Sequence, residues 1–447
     1  MARPEEQLNN TEIRLGLERM QRLMHLLGDP QDKLRFIHVA GTNGKGSTCS
    51  FISAMLTANG YRTGMYTSPA VEDVREQYVI DGDWISSEEY ADLAARVCAA
   101  SVGIVSEIIS EEGCPVQEIS DTDMMPTAFE YETAMAFLYF CEKGCDYVVL
   151  ETGLGGEGDA TNIIKSAQAV VLTSISEDHL GLIGNNIEEV AGTKAGIIKP
   201  GVPVALMDNV EPVMEIVREK AAVNGSELRI MYKRDVIING DEDGVYFDYK
   251  GVKAVRLNTY AKYQAYNAAL ALLVLRLIKE RDETFVFEEG VSLATLGKVL
   301  MPYRFQKLYD DPVIIADGAH NPDAAYRLRE TIVTVLDGYR LIYIFGMFKD
   351  KDYRKVIRIM APMADMIYTV QTPDSKRALP KEELRKAVLE EVNEMKEENV
   401  IDADLETAVK QSIKVAETIN ASGLRAAIIV FGSLSYLKYI KDYLTDD

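Results

Sequence analysis

The sequence predicts an α/β protein in which a larger, doubly wound, mainly parallel sheet domain precedes a smaller α/β domain. Buried-strand patterns alternate with helical patterns along most of the chain, which is typical of parallel sheets covered by helices on both faces. The alternation breaks once, near residues 244–257, and restarts in the last third of the chain. A chain of 447 residues is also too long for one ordinary core, and it suggests about two or three domains.

The larger domain begins with a helix and a strand. Apolar residues within the first 35 positions have the spacing of an amphipathic helix. The buried strand RFIHVAG then leads through a glycine-rich loop to the helix STCSFISAMLTANG. Capping boxes at Ser86–Glu89 and Thr127–Glu130 begin two further helices. Later strands are predicted at DYVVLE, AVVLTSI and VPVALM, and a helix before the last of them is predicted to end at Lys199-Pro200-Gly201.

The run GVYFDYKGVKAVRL predicts a hairpin that turns at Lys250–Gly251. A helix from about residue 262 to residue 279 follows it. The smaller, Rossmann-like α/β domain then contributes strands at VIIADGA, RLIYIFGM, MIYTVQ and AAIIVFGS. We therefore predict domains of residues 1–298 and 299–447.

Composition excludes several classes of function. The formal net charge is −22, from 48 basic and 70 acidic residues, whereas nucleic acids and anionic membranes require a basic surface. Small anions such as ATP are not excluded, because backbone N–H groups and a few cations can bind them. The polar start MARPEEQLNN is unlike a secretory signal. Five cysteines without a C-x-x-C pair indicate reduced thiols, so we expect a cytoplasmic protein.

The stretch FIHVAGTNGKGSTCSF resembles a phosphate-binding loop but departs from the usual G-x-x-x-x-G-K-[ST] pattern. Gly41 and Gly44 are only three residues apart, and Gly46 separates Lys45 from Ser47. The loop still lies between a strand and a helix N-terminus, which attracts phosphate through its unpaired N–H groups and partial positive charge. The alternative is a tight turn that merely needs glycine. The density of glycine and lysine favours a nucleotide site.

Three further residues of the larger domain are candidates for chemistry. Glu151 ends a strand of the predicted sheet, where a carboxylate is a natural magnesium ligand, although it could equally cap a turn. His179 follows another strand beside Asp178, which favours a metal or catalytic role. Lys194 lies in a helix, and by itself it is better explained as a solvated surface lysine.

The smaller domain contributes Asp317 and His320, which leave a strand in IIADGAHNPDA. An ordinary polar loop would explain this pair equally well. Arg304 precedes them in MPYRFQK, where it could clamp a phosphate, although a plain surface arginine is commoner.

In this order, these segments resemble one family: folylpolyglutamate synthase and dihydrofolate synthase, a branch of the Mur ligase superfamily. The similarity covers nearly the whole chain, and GTNGKGS is the family's own form of the phosphate loop. The segments that carry it are LGDPQDKLRFIHVAGTNGKGST, TSP, ETGLGGEGDATN, DHLGLIGNNIEEVAGTKAGIIKPG, YQAYNAALA, RFQ, DGAHNP and FGSLSYL.

The resemblance implies an ATP-dependent ligase. Enzymes of this family use ATP to phosphorylate a carboxylate of a folate or of dihydropteroate, and the amine of L-glutamate attacks the acyl phosphate to form an amide. Positioning and charge neutralisation dominate such chemistry. The family expectation is a monomer without nucleic acid or membrane partners.

The resemblance also implies roles for individual residues. Lys194 matches a lysine that CO2 carbamylates, which turns a cation into a metal-binding carbamate. The implied catalytic residues are Lys45, Lys194 and His179. The implied ligands of magnesium, with two sites, are Ser68, Glu151, His179 and Lys194. The implied ATP-binding residues are Gly41, Thr42, Asn43, Gly44, Lys45, Gly46, Ser47, Gln264, Asn267, Arg304, Asp317 and His320.

Departures from the family pattern fall mainly where the acceptor is expected. Ala70 follows TSP in place of histidine, and Glu157–Gly158 replace Arg-Leu. Tyr263, Met301 and Tyr303 differ as well. An arginine-to-glutamate reversal would repel a carboxylated substrate, so the residue at position 157 bears on acceptor recognition.

Three other functions compete with a folate ligase. A Mur-type ligase acting on a non-folate carboxylate is the nearest, but only 40 residues precede Gly41, too few for the UDP-sugar domain that such ligases usually carry. A P-loop kinase or simple ATPase would not need the second α/β domain. An inactive paralogue that binds folate or nucleotide would have no evident use for intact metal ligands. The sequence does not decide between dihydrofolate synthase, folylpolyglutamate synthase and both.

Overall fold

The computed structural model describes residues 14–112, 125–241, 244–373 and 376–444. The chain forms two compact units, each assembled from several stretches of sequence. The first unit comprises Met1–Ile237, Asp248–Val255 and Tyr266–Val299, and the second comprises Ile238–Phe247, Arg256–Ala265 and Leu300–Asp447.

The α-helices of the described residues are α1 (Glu18–Leu26), α2 (Lys45–Ala58), α3 (Ser87–Glu112), α4 (Ala128–Glu142), α5 (Ile187–Ala195), α6 (Glu211–Val223), α7 (Tyr263–Arg281), α8 (Glu289–Leu296), α9 (Pro322–Val335), α10 (Tyr353–Met360), α11 (Lys381–Glu391), α12 (Leu405–Ala421) and α13 (Lys438–Asp442).

The strands of the described residues are β1 (Phe36–Ala40), β2 (Thr63–Tyr66), β3 (Tyr78–Ile80), β4 (Asp83–Trp84), β5 (Tyr147–Glu151), β6 (Ala167–Leu172), β7 (Val204–Met207), β8 (Leu228–Met231), β9 (Val236–Asp241), β10 (Gly244–Tyr249), β11 (Val252–Leu257), β12 (Gln306–Asp310), β13 (Val313–Ala316), β14 (Tyr339–Phe345), β15 (Met366–Thr369), β16 (Val400–Asp402) and β17 (Arg425–Phe431).

The main sheet of the first unit has the order β4-β3-β2-β5-β1-β6-β7-β8 within the described residues. The central strand β1 is buried along its whole length and pairs in parallel with β5 and β6. The mainly parallel sheet is confirmed, while the antiparallel strands β3 and β4 at one edge were not predicted. Because β1, β5 and β6 run the same way, their carboxyl ends meet at one edge, where ligands of such sheets bind.

The second unit has a sheet of order β12-β13-β17-β14-β15-β16 within the described residues. Its four predicted strands are confirmed as β13, β14, β15 and β17, which pair in parallel in the order just given. The antiparallel β12 and the short β16 were not predicted. Apolar side chains of α9, α10 and α11 pack against this sheet.

The predicted hairpin is confirmed by β10 and β11. Lys250 and Gly251 form its two-residue turn with φ angles of +40° and +93°, as a tight hairpin turn requires. Strand β9 adds a third member to this small sheet.

The caps and ends of the helices test the sequence patterns directly. Thr127 and Glu130 form the predicted capping box of α4. The helix predicted to reach residues 199–201 ends instead at Ala195, so that prediction was wrong. In a longer helix the amide of Ile197 would donate to the carbonyl oxygen of Thr193. That oxygen instead accepts a hydrogen bond from the amide of Glu157 at 2.9 Å.

Among the described residues, no helix combines the length and apolar character needed to cross a membrane.

Candidate active site

The glycine-rich loop joins the carboxyl end of β1 to the start of α2. Gly41 and Gly44 adopt φ angles of +154° and +89°, which favour glycine. A Cβ on Gly41 would lie 1.8 Å from Thr173 Oγ1, and a Cβ on Gly44 would lie 2.5 Å from Asn267 Oδ1. The loop therefore needs glycine both for its backbone conformation and for close approach to its neighbours.

The segment after β6 fixes the loop from the other side. The amide of Thr42 donates to the carbonyl oxygen of Ser174 at 2.7 Å, and the Thr42 hydroxyl donates to that of Ser176 at 3.0 Å. An isolated bridge between Asn43 and Ser174 continues the contact. Helix α2 begins at Lys45 and runs on through Gly46 and Ser47, so its N-terminal N–H groups belong to the loop.

Lys45, Glu151 and Ser68 meet beside this loop. Lys45 Nζ lies 3.7 Å from Glu151 Oε1, and the Ser68 amide donates to Glu151 Oε2 at 3.2 Å. The Glu151 side chain is 5% exposed and that of Lys45 is 18% exposed. A cation and a carboxylate thus converge on a glycine loop at the carboxyl edge of the sheet.

Asn267 and Gln264 lie in the first two turns of α7, and both are buried. The contact between the Asn267 amide and the Gly44 position brings Asn267 directly to the loop.

Lys194 is 4% exposed and donates from Nζ to the carbonyl oxygen of Gly41 at 2.9 Å. The interpretation of Lys194 as a solvated surface lysine was therefore wrong. The pattern of the short helix α5 could not show this, because the acceptor belongs to a loop 153 residues away in sequence.

His179 lies in the loop after β6 with a φ of +51°. Its Nε2 lies 3.8 Å from Asp178 Oδ2, and its amide donates to Asp178 Oδ1 at 2.9 Å. Ser176, which is bonded to Thr42, lies three residues before it, so His179 is on the loop's side of the sheet. Its role as a metal ligand stays a prediction.

The side chains beside the loop have the oxygen donors that a magnesium site requires. Across the described ranges, no three His, Cys, Asp or Glu side chains converge as a metal cage. Magnesium does not need one, because it usually takes one or two protein carboxylates together with water and substrate phosphates. Buried Glu151 beside a phosphate loop fits that requirement, with the Ser68 hydroxyl as a further oxygen donor.

A second network, which sequence reasoning missed, fixes the loop of residues 153–158. Asp159 accepts hydrogen bonds from the amides of Leu154 at 2.8 Å and Thr161 at 3.0 Å. The Thr161 hydroxyl donates to Asp159 at 2.6 Å and lies 2.9 Å from His38 Nε2. Burial, and then the charge of Lys199, lower the pKa of His38 to about 3. The Asp-x-Thr spacing, typical of an Asx turn, was the available signal.

The structure explains part of the departure from the family pattern at positions 157 and 158. Glu157 is exposed, and Gly158 accepts a hydrogen bond from the Gly16 amide at 3.0 Å. A Cβ on Gly158 would lie 3.3 Å from both Gly16 N and Leu15 Cβ. Residues 15–16 therefore occupy the space that the usual leucine would take.

In the second unit, Asp317 accepts hydrogen bonds from the Phe305 amide at 2.8 Å, the Ala319 amide at 2.8 Å and the Tyr263 hydroxyl at 3.1 Å. Burial raises its pKa, while the charge of Arg304 opposes that shift.

Arg304 and His320 both contact the backbone at Gly318. A Cβ on Gly318 would lie 2.3 Å from Arg304 Nη1, and His320 Nδ1 lies 2.9 Å from the Gly318 carbonyl oxygen. The structure therefore brings the three predicted residues of this unit together around one glycine.

Comparison with known proteins identifies the family. Residues 91–275 match the Mur ligase middle domain, and residues 303–434 match the Mur ligase glutamate ligase domain. The chain is 33% identical to the dihydrofolate synthase/folylpolyglutamate synthase of Bacillus subtilis over 83% of this chain and 84% of that protein.

Solved structures similar to this chain belong to the same family as the sequence matches. The folylpolyglutamate synthase of Mycobacterium tuberculosis, solved with ADP and AMPPCP, superimposes with a TM-score of 0.86 at 28% identity, over 97% of this chain and 96% of that one. A bifunctional folylpolyglutamate synthase/dihydrofolate synthase with Mn, AMPPNP and L-glutamate bound gives a TM-score of 0.77 at 27% identity, over 98% and 96%. This chain therefore belongs to the folylpolyglutamate synthase/dihydrofolate synthase family of Mur ligases.

Proposed function

We propose that this chain is an ATP-dependent ligase that adds L-glutamate to a folate, to dihydropteroate or to both. One observation carries the proposal: Lys45 Nζ lies 3.7 Å from Glu151 Oε1 beside a loop whose glycines allow close approach of a polyphosphate. Family membership and ligand-bound relatives support ATP and a divalent metal as requirements.

The residues of the first unit divide the work of phosphoryl transfer. Backbone N–H groups at the start of α2 hold phosphate oxygens, and Lys45 neutralises their charge. Glu151 and Ser68 would hold the divalent metal, which supplies Lewis-acid stabilisation of charge on the phosphate. Because Lys45 and Glu151 are largely buried, their charges act strongly on a bound ligand. The acceptor carboxylate takes the γ-phosphoryl group of ATP to give an acyl phosphate, and ADP leaves. The glutamate amine then attacks the acyl carbon, loses a proton and displaces inorganic phosphate, which leaves the amide.

Several finer assignments belong to the proposal. We assign Lys194 as the carbamylated lysine on the family resemblance, and its burial beside the phosphate loop, where Nζ donates to the Gly41 carbonyl group, supports a role at this site. Metal binding by His179, a second metal site, and nucleotide contacts by Gln264, Arg304, Asp317 and His320 rest on the family resemblance. The monomeric state and cytoplasmic location stay predictions.

A second candidate is a Mur-type ligase for a non-folate carboxylate. The observation in its favour is the acceptor-side loop, where Glu157 is exposed and Gly158 packs on residues 15–16.

The experiment measures ADP release with ATP, magnesium and L-glutamate, with dihydropteroate and tetrahydrofolate offered separately, and identifies the product by mass spectrometry. Turnover of tetrahydrofolate alone would make this a tail-lengthening enzyme, and turnover of both would make it bifunctional. A protein that binds ATP but ligates neither acceptor would disprove the folate assignment and favour the second candidate.

A further inference from the structure

The phosphate loop, residues 41–47, is rich in the residue with the greatest backbone freedom. Three of its first six residues are glycines, at positions 41, 44 and 46. A glycine-rich loop loses much conformational entropy when it is fixed around a ligand. A loop that neighbouring groups already hold in its binding conformation avoids part of that cost and binds more tightly. The groups that hold the loop therefore contribute to nucleotide affinity without touching the nucleotide.

Residues 173–176, which follow β6, lie directly against this loop. The carbonyl oxygen of Ser174 accepts hydrogen bonds from the amides of Thr42 at 2.7 Å and Asn43 at 3.3 Å. The Thr42 hydroxyl accepts from the Ser176 amide at 3.1 Å and donates to the Ser176 carbonyl oxygen at 3.0 Å. Residues 173–176 belong to no helix or named strand, so groups outside regular structure must satisfy and fix their backbone.

The side chain of Asn209 fixes these residues from the side opposite the loop. Asn209 lies just after β7, and its Oδ1 accepts a hydrogen bond from the Ile175 amide at 2.8 Å. Its Nδ2 donates to the carbonyl oxygen of Thr173 at 3.4 Å and to that of Met207. One side chain therefore joins the end of β7 to the segment that supports the phosphate loop.

The backbone that carries Asn209 is itself anchored to the next strand. The amide of Asp208 donates to the Met231 carbonyl oxygen at 2.9 Å, and the Asp208 carboxylate accepts from the Lys233 amide at 3.2 Å. Strands β7 and β8 pair in parallel as far as Met207 and Met231. Hydrogen bonds thus run along the carboxyl edge of the sheet from β8, through Asn209, to residues 173–176 and the phosphate loop.

The contacts of Asn209 require a side-chain amide. An amide offers an acceptor oxygen and an N–H donor group on one side chain, and Asn209 uses the oxygen for a backbone amide and the N–H group for two carbonyl oxygens. A carboxylate at this position would face both carbonyl oxygens without a hydrogen to donate. An apolar side chain would leave the amide of Ile175, a residue only 4% exposed, without this partner, which is unfavourable.

We propose that Asn209 is a positioning residue for nucleotide binding. It holds residues 173–176 in place, and these residues hold the phosphate loop in the conformation that receives the phosphates. Asn209 acts through the backbone of Ser174 and the side chain of Thr42, and it is assigned no contact with the nucleotide. This inference rests on the proposed function.

The test is equilibrium binding of the ATP analogue AMPPCP, with magnesium, to the full-length protein by calorimetry. We expect Asn209→Ala to remain folded and to bind AMPPCP about 10-fold more weakly than wild type, a factor that one or two lost hydrogen bonds can produce. In steady-state kinetics the KM for ATP should rise by a similar factor, while the KM for L-glutamate stays constant. An unchanged affinity for AMPPCP in the folded variant would overturn the inference.

Asn59→Ala is the matched control. The Asn59 Oδ1 accepts from the Glu288 amide at 2.6 Å, and its Nδ2 donates to the Met55 carbonyl oxygen at 2.7 Å and to the Ser292 hydroxyl at 2.8 Å. It follows the last residue of α2, at the end of the helix opposite the phosphate loop. Both variants should lower the thermal midpoint, but Asn59→Ala should bind AMPPCP as wild type does. Equal weakening of AMPPCP binding in the two variants would reduce the effect of Asn209 to general stability and overturn the inference.

A double-mutant cycle with Thr42→Val tests the route of the effect. Valine keeps the shape of threonine but removes the hydroxyl that is bonded to Ser176. If Asn209 acts through residues 173–176, the double variant should bind AMPPCP about as weakly as the weaker single variant, because both changes release the same segment. A loss equal to the product of the two single losses would show that Asn209 acts by another route, and it would overturn the inference.

Asn209→Ser covers the case in which Asn209→Ala folds poorly. Its hydroxyl keeps one polar group at the position, so its affinity for AMPPCP should fall between those of wild type and Asn209→Ala, and wild-type affinity in both variants would contradict the proposal. Wild-type protein that does not bind AMPPCP would disprove the proposed function together with this inference. Wild-type binding and ligation that Asn209→Ala leaves unchanged would overturn only the role of Asn209.

Discussion

Glu151 and Asp317 occupy the same kind of position in the two units, yet their surroundings differ. Glu151 is the last residue of β5 and Asp317 follows the last residue of β13, and each residue is 4% exposed. Glu151 faces the ammonium group of Lys45 at 3.7 Å, on a loop built to approach phosphate. Asp317 instead accepts three hydrogen bonds from groups of its own unit, two of them backbone amides.

Glu151 is therefore placed to act on a ligand, whereas Asp317 also holds neighbouring backbone groups of its own unit through hydrogen bonds. A polyphosphate or a metal can compete for the Lys45 and Glu151 charges because a lysine side chain is free to move. The partners of Asp317 are fixed, so removing it leaves buried N–H groups unsatisfied. Glu151 variants should therefore lose activity first, and Asp317 variants should lose stability as well.

The largest expected effect is that of Glu151→Gln. We expect kcat/KM to fall on the order of 10³-fold, since one group that stabilises developing charge contributes that much in other enzymes, while the thermal midpoint stays near that of wild type. Steady-state ADP release and a thermal melt check both parts. Glu219→Gln, on the exposed face of α6, is the control. A strongly destabilised but active Glu151→Gln would reverse the roles assigned to the two carboxylates.

Lys194→Ala should abolish most ligation, with kcat reduced roughly 10²-fold or more, without unfolding the protein. Its buried Nζ is bonded to the Gly41 carbonyl group, so the variant also tests whether the loop needs that contact. Short carboxylic acids should partly restore turnover if a carbamate is the working group. Full activity without any addition would disprove the carbamate assignment.

Asp317→Ala should lower the stability of the second unit by about 2 to 4 kcal/mol, because it strands the amides of Phe305 and Ala319. Differential scanning calorimetry should show an earlier transition. Asp310→Ala is the matched control in the same unit, since the Asp310 side chain is 83% exposed and forms an exposed ion pair with Lys307, a type of pair that contributes little. Equal melting of the two variants would show that the hydrogen bonds around Asp317 do not stabilise the unit.

Local patterns in the sequence predicted most of the regular structure. The Thr127–Glu130 capping box, the hairpin at Lys250–Gly251 and the four buried strands of the second unit all depend on residues that are neighbours in sequence. The short edge strands β3 and β4 were missed because they carry too few residues for a periodic signal.

The site was harder to predict because its contacts join distant segments. Burial of Lys194 depends on the carbonyl group of Gly41, and the need for glycine at position 44 depends on Asn267. No periodicity in α5 or α7 encodes such contacts.

The smallest effect is expected for Glu157→Arg. This variant tests whether a third carboxylate, on the acceptor side, acts on a ligand as Glu151 does or on stability as Asp317 does. Glu157 is exposed, and its amide, which a side-chain change leaves intact, holds the loop against α5 through the carbonyl group of Thr193. The variant should therefore fold normally. Removing a negative charge and adding a positive one should lower the KM for a carboxylated acceptor several-fold, because exposed charges act through screened fields, while the KM for ATP stays constant. Kinetics with each substrate varied in turn, at low and high salt, make the measurement. An effect confined to the KM for ATP would place this loop beside the nucleotide and remove it from acceptor recognition.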